Sequence, residues 1–389
     1  MRKILSAALV LVMTCSLLAG CGKKDTQTGT GPGNDKGNGY EIALITDKGN
    51  IDDKSFNQGS WEGVVKFAGD KYSHMYYKPE KADNEGYLAS IDLAVAGGAK
   101  VIVTPGYLFE VAVYEAQTKY PNVKFILLDG TPHTADYETF ETKSNVASVL
   151  YAEEETGYLA GYAAVKDGMT KLGFMGGMAV PAVRSFGYGF LQGAENAAKE
   201  LGLADGAVSV TYHYTGNFEE NDTNKSTAKA IYQEGAQVIF ACGGSVGKSV
   251  MSAATEANGK VIGVDVDQRY DSDTVMTSAT KGLGASVVAV LESIYNTNSW
   301  DTYGGKTTYF NAANDGVGLP TVVIGDDKAD AFDRFSTFNK SDYEAVFKTL
   351  VDGTVDPIRE ITIEDANGIA TAKELTEGLA LTKVVVTTR

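Results

Sequence analysis

From residue 40 to about residue 300 the sequence alternates short apolar runs with amphipathic ones, and this rhythm limits the fold more than any other feature. Strands are expected at 42–46, 74–77, 100–104, 124–128, 146–150, 171–175, 208–213, 237–241, 260–264 and 274–278. Helices are expected between them, at 87–96, 110–119, 153–165, 184–201, 223–233, 246–257 and 284–295. Strands alternating with helical patterns imply βαβ units and parallel sheets. Runs such as KFILL and QVIFA are apolar throughout, as strands covered on both faces require. The alternation restarts near Lys171, which predicts two similar α/β lobes with a cleft between facing strand ends. Beyond residue 303 the pattern loosens to a loop-plus-strand crossing, a helix at 339–351 closed by Gly353, and a polar end. That end carries one β-rich run, 383–386, which the pattern does not place.

The first residues read as a targeting segment. Arg2 and Lys3 precede an apolar run from Ile4 to Met13, and Leu18-Ala19-Gly20-Cys21 follows as a small-residue cleavage site. The run is too short for a membrane span. Leu-Ala-Gly-Cys resembles the bacterial lipobox, so residues 1–20 are expected to be removed and Cys21 to be lipidated. Residues 21–39, rich in Gly, Thr, Asn and Lys, then form a flexible tether. The whole chain has 34 Lys plus Arg against 50 Asp plus Glu, a net −16; loss of Arg2 and Lys3 makes it −18. An acidic exported body argues against nucleic acid as a partner, because phosphate binding needs a basic surface. Of three cysteines only Cys242 lies in the body, so no disulfide framework is available.

The residues with chemistry sit where strands are expected to end. In TDKGNIDDKSFNQGSW an apolar strand closes at Asp47, and a polar loop leads into a helix near Ser55. Open α/β sheets bind ligands at the carboxyl ends of their strands. Asp47 can accept bonds from ligand donors there, Phe56 can stack on a planar ring, and Asn57 and Gln58 add amides. Asp52 and Asp53 read as charges that favour a helix N-terminus. Asp129 ends KFILLD and Asp265 ends KVIGVD. Lys281, near a helix start, can hold a sugar ring or pair with Asp265. Two aromatics compete for the ring face opposite Phe56. Phe218 in YTGNF is preferred, because Phe186 and Phe190 have the i, i+4 spacing of a buried stripe. Cys242–Ser249, CGGSVGKS, falls one residue short of a phosphate-binding loop. Its Gly244 and Ser245 are instead expected at the cleft edge, where glycine lets backbone approach a ligand.

TDKGNIDDKSFNQGSWEG, GFMGGM with Pro181 and FGYGFLQGA, ACGGSVGKSV, and VIGVDVDQ with TSATK occur in this order between about residues 41 and 319. In this the chain resembles the basic membrane lipoprotein family, PnrA-like group, the purine-nucleoside-binding lipoproteins of ABC importers. The resemblance implies a type I periplasmic-binding-protein fold, two Rossmann-like lobes joined by a hinge. It implies an N-terminal lobe of 40–152 plus 274–303 and a C-terminal lobe of 153–273 plus 304–389. It also implies that Asp129 faces the base and Asp265 the ribose. The expected set is then Asp47, Phe56, Asn57, Asp129, Phe218, Gly244, Asp265 and Lys281, with Gln58, Phe186 and Ser245 in a second rank. The partners implied are a purine nucleoside, the importer permease and, through the anchor, the extracytoplasmic face of the cell membrane.

A sugar or other small solute, or a nucleoside sensor without transport, remains open as an alternative. An enzyme is disfavoured. No nucleophile–base pair is evident, and the three histidines, His74, His133 and His213, lack metal-ligand spacing. No cofactor is expected.

Overall fold

The computed structural model describes residues 40–326 and 328–389, so the expected signal peptide, the expected lipidation at Cys21 and the expected tether lie outside the described residues. Thirteen strands are described: β1 Ile42–Ile45, β2 His74–Tyr77, β3 Val101–Pro105, β4 Lys124–Leu128, β5 Val146–Tyr151, β6 Lys171–Gly176, β7 Val208–Tyr214, β8 Val238–Cys242, β9 Lys260–Asp265, β10 Val275–Lys281, β11 Lys306–Phe310, β12 Val317–Gly318 and β13 Val384–Thr388. The helices are α1 Phe56–Ala68, α2 Asn84–Ala96, α3 Glu110–Lys119, α4 Glu153–Lys166, α5 Pro181–Glu200, α6 Asp222–Gln233, α7 Val246–Ala257, α8 Leu283–Tyr295, α9 Lys340–Val351 and α10 Ala372–Gly378.

They build two sheets. The first runs β11-β5-β4-β3-β1-β2, all parallel. The second runs β12-β10-β9-β8-β6-β7-β13, parallel except for β12. The restart near Lys171 is therefore real: β1–β5 and β6–β10 follow the same spatial order, second, first, third, fourth, fifth. The central strands are buried on both faces, as in IALI and VIFAC, because helices cover each sheet. The unplaced run 383–386 belongs to β13, which completes the second sheet beside β7.

The lobe boundaries implied by the family need correction. Residues 274–303 do not all join the first lobe, since β10 pairs with β9. Residues 304–389 do not all join the second, since β11 pairs with β5. The chain instead crosses after Tyr151, at Gly282 and between Phe310 and Val317. After the Gly282 crossing α8 packs on α1, where a Cβ on Gly63 would lie 2.8 Å from the Gly284 Cα. Alternation reveals that a strand exists but not which sheet receives it.

Hydrogen bonds tie the crossings together. Ala152 N–H donates to Phe310 O, Gly282 N–H to Gly316 O, and both Thr156 and Thr280 hydroxyls to Gly318 O. At the floor of the second lobe α4 and α5 pack through glycines: a Cβ on Gly157 would sit 2.2 Å from Phe186 O, and one on Gly161 2.0 Å from Phe190 O. Backbones this close leave no room for a side chain, so the start of α4 and the Phe186 ring are set against one another.

Candidate functional site

A cavity lies between the lobes. Its walls come from the carboxyl ends of strands in both sheets. Asp47, Asp53, Phe56, Asn57, Gly106, Tyr107 and Asp129 face it from the first lobe. Val183, Phe186, Phe218, Cys242, Gly244, Ser245, Asp265 and Lys281 face it from the second. Every expected site residue except Gln58 is thus brought to one place. Gln58 turns outward: its Oε1 accepts from the Lys54 N–H and its Nε2 donates to Glu62. On the first turn of α1, Asn57 faces inward and the next residue points along the helix flank.

The first loop is organised by its own carboxylates. Asp53 accepts from the N–H groups of Ser55, Asn57 and Gln58 at 2.9, 3.0 and 3.1 Å and so caps α1, as its helix-start reading anticipates. Asp52 is exposed. The Asn57 amide donates to Asp47 Oδ1 at 2.8 Å and to Asp53 Oδ2 at 2.9 Å, and its Oδ1 accepts from the Asp47 N–H. With its donors taken, Asn57 fixes Asp47 in place. Burial pushes the Asp47 carboxyl up to about 6.

Asp129 and Asp265 occupy matching positions, each just past or at the end of the fourth strand of its lobe. Both have left-handed backbones, φ 55° and 67°. Residues other than glycine adopt this conformation at a cost, and such strain clusters at functional sites. Here it turns a carboxylate from the strand end into the cleft. Lys281, the last residue of β10, lies between them. Its ammonium is 2.5 Å from Asp129 Oδ2, 3.2 Å from Glu153 Oε1 and 3.9 Å from Asp265 Oδ1. It also lies over the rings of Phe56, Tyr151 and Phe186, at 4.8, 5.3 and 5.2 Å. The expected Asp265 partner is therefore the most distant of three carboxylates.

One cation cannot neutralise all three. Burial raises the Asp129 carboxyl to about 7 despite Lys281, and burial likewise raises Asp265. Burial alone would also raise Glu153, but Lys281 and Arg359 outweigh it and hold this carboxyl below its usual range. Burial would lower the Lys281 ammonium, yet Asp129, Glu153 and Asp265 together hold its pKa up. The outcome is a buried floor whose second Asp129 oxygen, Oδ1, receives no hydrogen bond among the described residues.

The aromatics divide as the helix spacing suggests. Phe186 is 2 % exposed and packs edge-on against Phe240, so it is floor. Phe218 is half-buried in the β7–α6 loop, and a Cβ on Gly177 would lie 2.4 Å from its ring. Gly177 thus makes room for the ring at the cavity wall. Gly244, at φ 55°, turns the backbone past Phe218.

The lobes also touch directly. The Ser55 hydroxyl donates to Asp265 Oδ2, Gln268 Nε2 to Lys54 O, and Lys248 Nζ to Asp52 O. Glu153 and Arg359 escaped the sequence reading. Glu153 is one of three glutamates that open α4, and Arg359 lies in an irregular stretch; no local signal joins them.

Comparison with known proteins identifies the family and the fold. Residues 41–359 match the family model for PnrA-like ABC transporter substrate-binding proteins. The ABC transporter nucleoside-binding protein BmpA of Lactococcus lactis is 27% identical over 82% of this chain and 91% of its own length. Basic membrane protein D of Borreliella burgdorferi is 29% identical over 72% of this chain and 78% of its own. An ABC transporter solute-binding protein from Aeropyrum pernix K1 superposes with a TM-score of 0.72 at 21% identity, covering 88% of this chain and 100% of that one. That likeness concerns the fold, the periplasmic-binding-protein type. The match to the family model spans most of the chain, and the chain belongs to the PnrA-like family of ABC transporter substrate-binding proteins, which bind solute for a transporter permease and are not enzymes.

Proposed function

We propose that this protein captures a purine nucleoside outside the cell and passes it to an ABC importer, held to the membrane by a lipid on Cys21. The observation that carries the ligand reading is Asp129 Oδ1, a buried carboxylate oxygen on the cavity wall with no donor among the described residues. A buried acceptor of this kind is costly unless a ligand donor completes it. A purine edge carries ring N–H or exocyclic amine donors of the required sort.

Other features fit the same ligand. Phe56 and Phe218 stand on opposite lobes, suited to clamp a planar base. Asp47 and Asp265 are suited to ribose hydroxyls, since ionised carboxylates make stronger bonds to O–H donors. Asn57 aims Asp47, Lys281 ties Asp129 to the floor beside Asp265, and Phe186 closes the floor. Lys281 is the only cation lining the cavity among the described residues, against four carboxylates, so a phosphorylated nucleotide is disfavoured. The nucleoside-binding description of the Lactococcus lactis relative points the same way. The lipobox supports the anchor.

Calorimetry and thermal shift with inosine, guanosine, adenosine, cytidine and ribose test this reading, because a ligand that binds only the folded state raises Tm. A response to purine nucleosides but not to ribose is expected. No response to any purine nucleoside would sink the proposal; equal binding of ribose would turn it into a sugar site.

A further inference from the structure

Arg359 is remote in sequence from every residue that lines the cavity. It belongs to the irregular stretch 355–370 that follows α9 and lies along α5, where Gln192 pairs with both the N–H and the carbonyl of Ile358. From there its guanidinium reaches the first crossing between the lobes. One nitrogen donates to Tyr151 O and to Glu154 Oε2, each at 2.7 Å, and another lies 2.8 Å from Glu153 Oε2. Tyr151 is the last residue of β5 in the first lobe; Glu153 and Glu154 open α4 in the second. The same Glu153 carboxylate contacts Lys281 with its other oxygen. A continuous chain of charges therefore runs Asp129, Lys281, Glu153, Arg359, Glu154, from the cavity wall to the outer strap.

We propose that Arg359 is a positioning residue for the ligand site, keeping Glu153 ionised so that Glu153 holds the Lys281 ammonium against Asp129. Glu153 is 1 % exposed and has two cations as partners. A carboxylate buried that deeply stays charged only while it is paired. Without Arg359, one ammonium would face Glu153, Asp129 and Asp265 alone. Around this cluster the other titratable groups include Glu154, Tyr151, Cys242, Asp53 beside Asp265 and Tyr309 beside Arg359, and none of them supplies a positive charge. Lys281 would then be shared differently, and the Asp129 oxygen that awaits a ligand donor would shift with it. The ligand part of this inference rests on the nucleoside reading; the charge part does not.

The test compares the wild type, Arg359→Met and the double variant Glu153→Gln/Arg359→Met. In ligand-free protein, Tm is measured at pH 5.5 and pH 8. On this proposal, loss of Arg359 lets burial outweigh Lys281, so the folded-state pKa of Glu153 is expected to rise above its unfolded value. That group's stability contribution is then present at low pH and lost as pH rises. The Tm deficit of Arg359→Met is therefore expected to be larger at pH 8 than at pH 5.5. The double variant loses the Glu154 partner just as Arg359→Met does but no longer carries the buried Glu153 charge, so it is expected to melt above Arg359→Met at pH 8. Inosine binding by Arg359→Met is expected to weaken about tenfold, the scale of one charge-assisted hydrogen bond. A deficit equal at both pH values, or a double variant that melts below Arg359→Met, overturns the charge coupling. Wild-type inosine affinity in Arg359→Met overturns the positioning role. If Arg359→Met does not fold, a folded double variant supports the proposal and an unfolded one overturns it. If the wild type does not bind inosine, the nucleoside reading falls and the Tm comparison alone decides.

Discussion

Asp129 and Asp265 stand at equivalent places in two lobes of the same strand order, with the same unusual backbone, yet they meet different partners. Asp265 accepts the Ser55 hydroxyl across the cleft, while Asp129 is held by Lys281 and keeps one oxygen free. The fifth strands diverge as well: β5 ends in Tyr151, a buried ring, and β10 ends in Lys281, a buried cation. A repeated frame thus presents an unsymmetrical site. The frame supplies the positions, and the side chains at strand ends decide which carboxylate latches the lobes and which one waits for a ligand.

Removing the cation that separates the two aspartates should have the largest effect. Lys281→Met leaves buried carboxylates unpaired and is expected to destabilise the fold by about 3–5 kcal/mol, read by denaturant unfolding. Next comes the comparison of Asp129→Asn with Asp265→Asn. Asp129→Asn should cost nucleoside binding roughly 2–5 kcal/mol in calorimetry, whereas the same change at Asp265 should cost less. Equal losses would mean that the two aspartates act alike.

The lobes can then be compared through their rings. Phe56→Ala and Phe218→Ala should each weaken binding by about 1–3 kcal/mol, the usual cost of losing a base-stacking face. If one variant keeps full affinity, its lobe supplies no stacking surface. Titration separates the aspartates further. Asp129 is raised by burial to about 7, so its folded value lies above its unfolded one. Its stabilising contribution to the ligand-free protein is therefore present at low pH and lost as pH rises toward 7. Ligand N–H donation needs the ionised form, so affinity should fall below pH 7 by up to about 1.4 kcal/mol per unit, and Asp129→Asn should flatten the profile. The smallest change expected is Ser55→Ala. It removes one bond across the cleft and should cost about 1 kcal/mol of ligand affinity with little change in Tm.

Much of this was legible in the chain. The strand–helix rhythm carried β1–β10 and the duplication of the lobes, because apolar periodicity is a local property. The strand-end residues Asp47, Asp129, Asp265 and Lys281 could be picked out, because a parallel sheet presents the ends of its strands at one edge. Gln58 was misjudged, since a one-residue step on a helix turns a side chain by about 100°. The sheet membership of β10 and β11 was missed, because strand pairing is not encoded in the strand's own pattern. The β-rich run 383–386 found its place only through Val384 beside Val208 in the second sheet.

By itself, the sequence determined that the chain alternates strand and helix, repeats that pattern, and puts carboxylates and aromatics at strand ends. The tertiary structure alone decided that Lys281 faces Asp129 and Glu153 more closely than Asp265, and that Arg359 supports Glu153 from a strap 206 residues further along the chain. The physical reason is burial. A charge placed in a buried floor must find its counter-charge wherever the fold brings one, and no local pattern in the sequence records that distance.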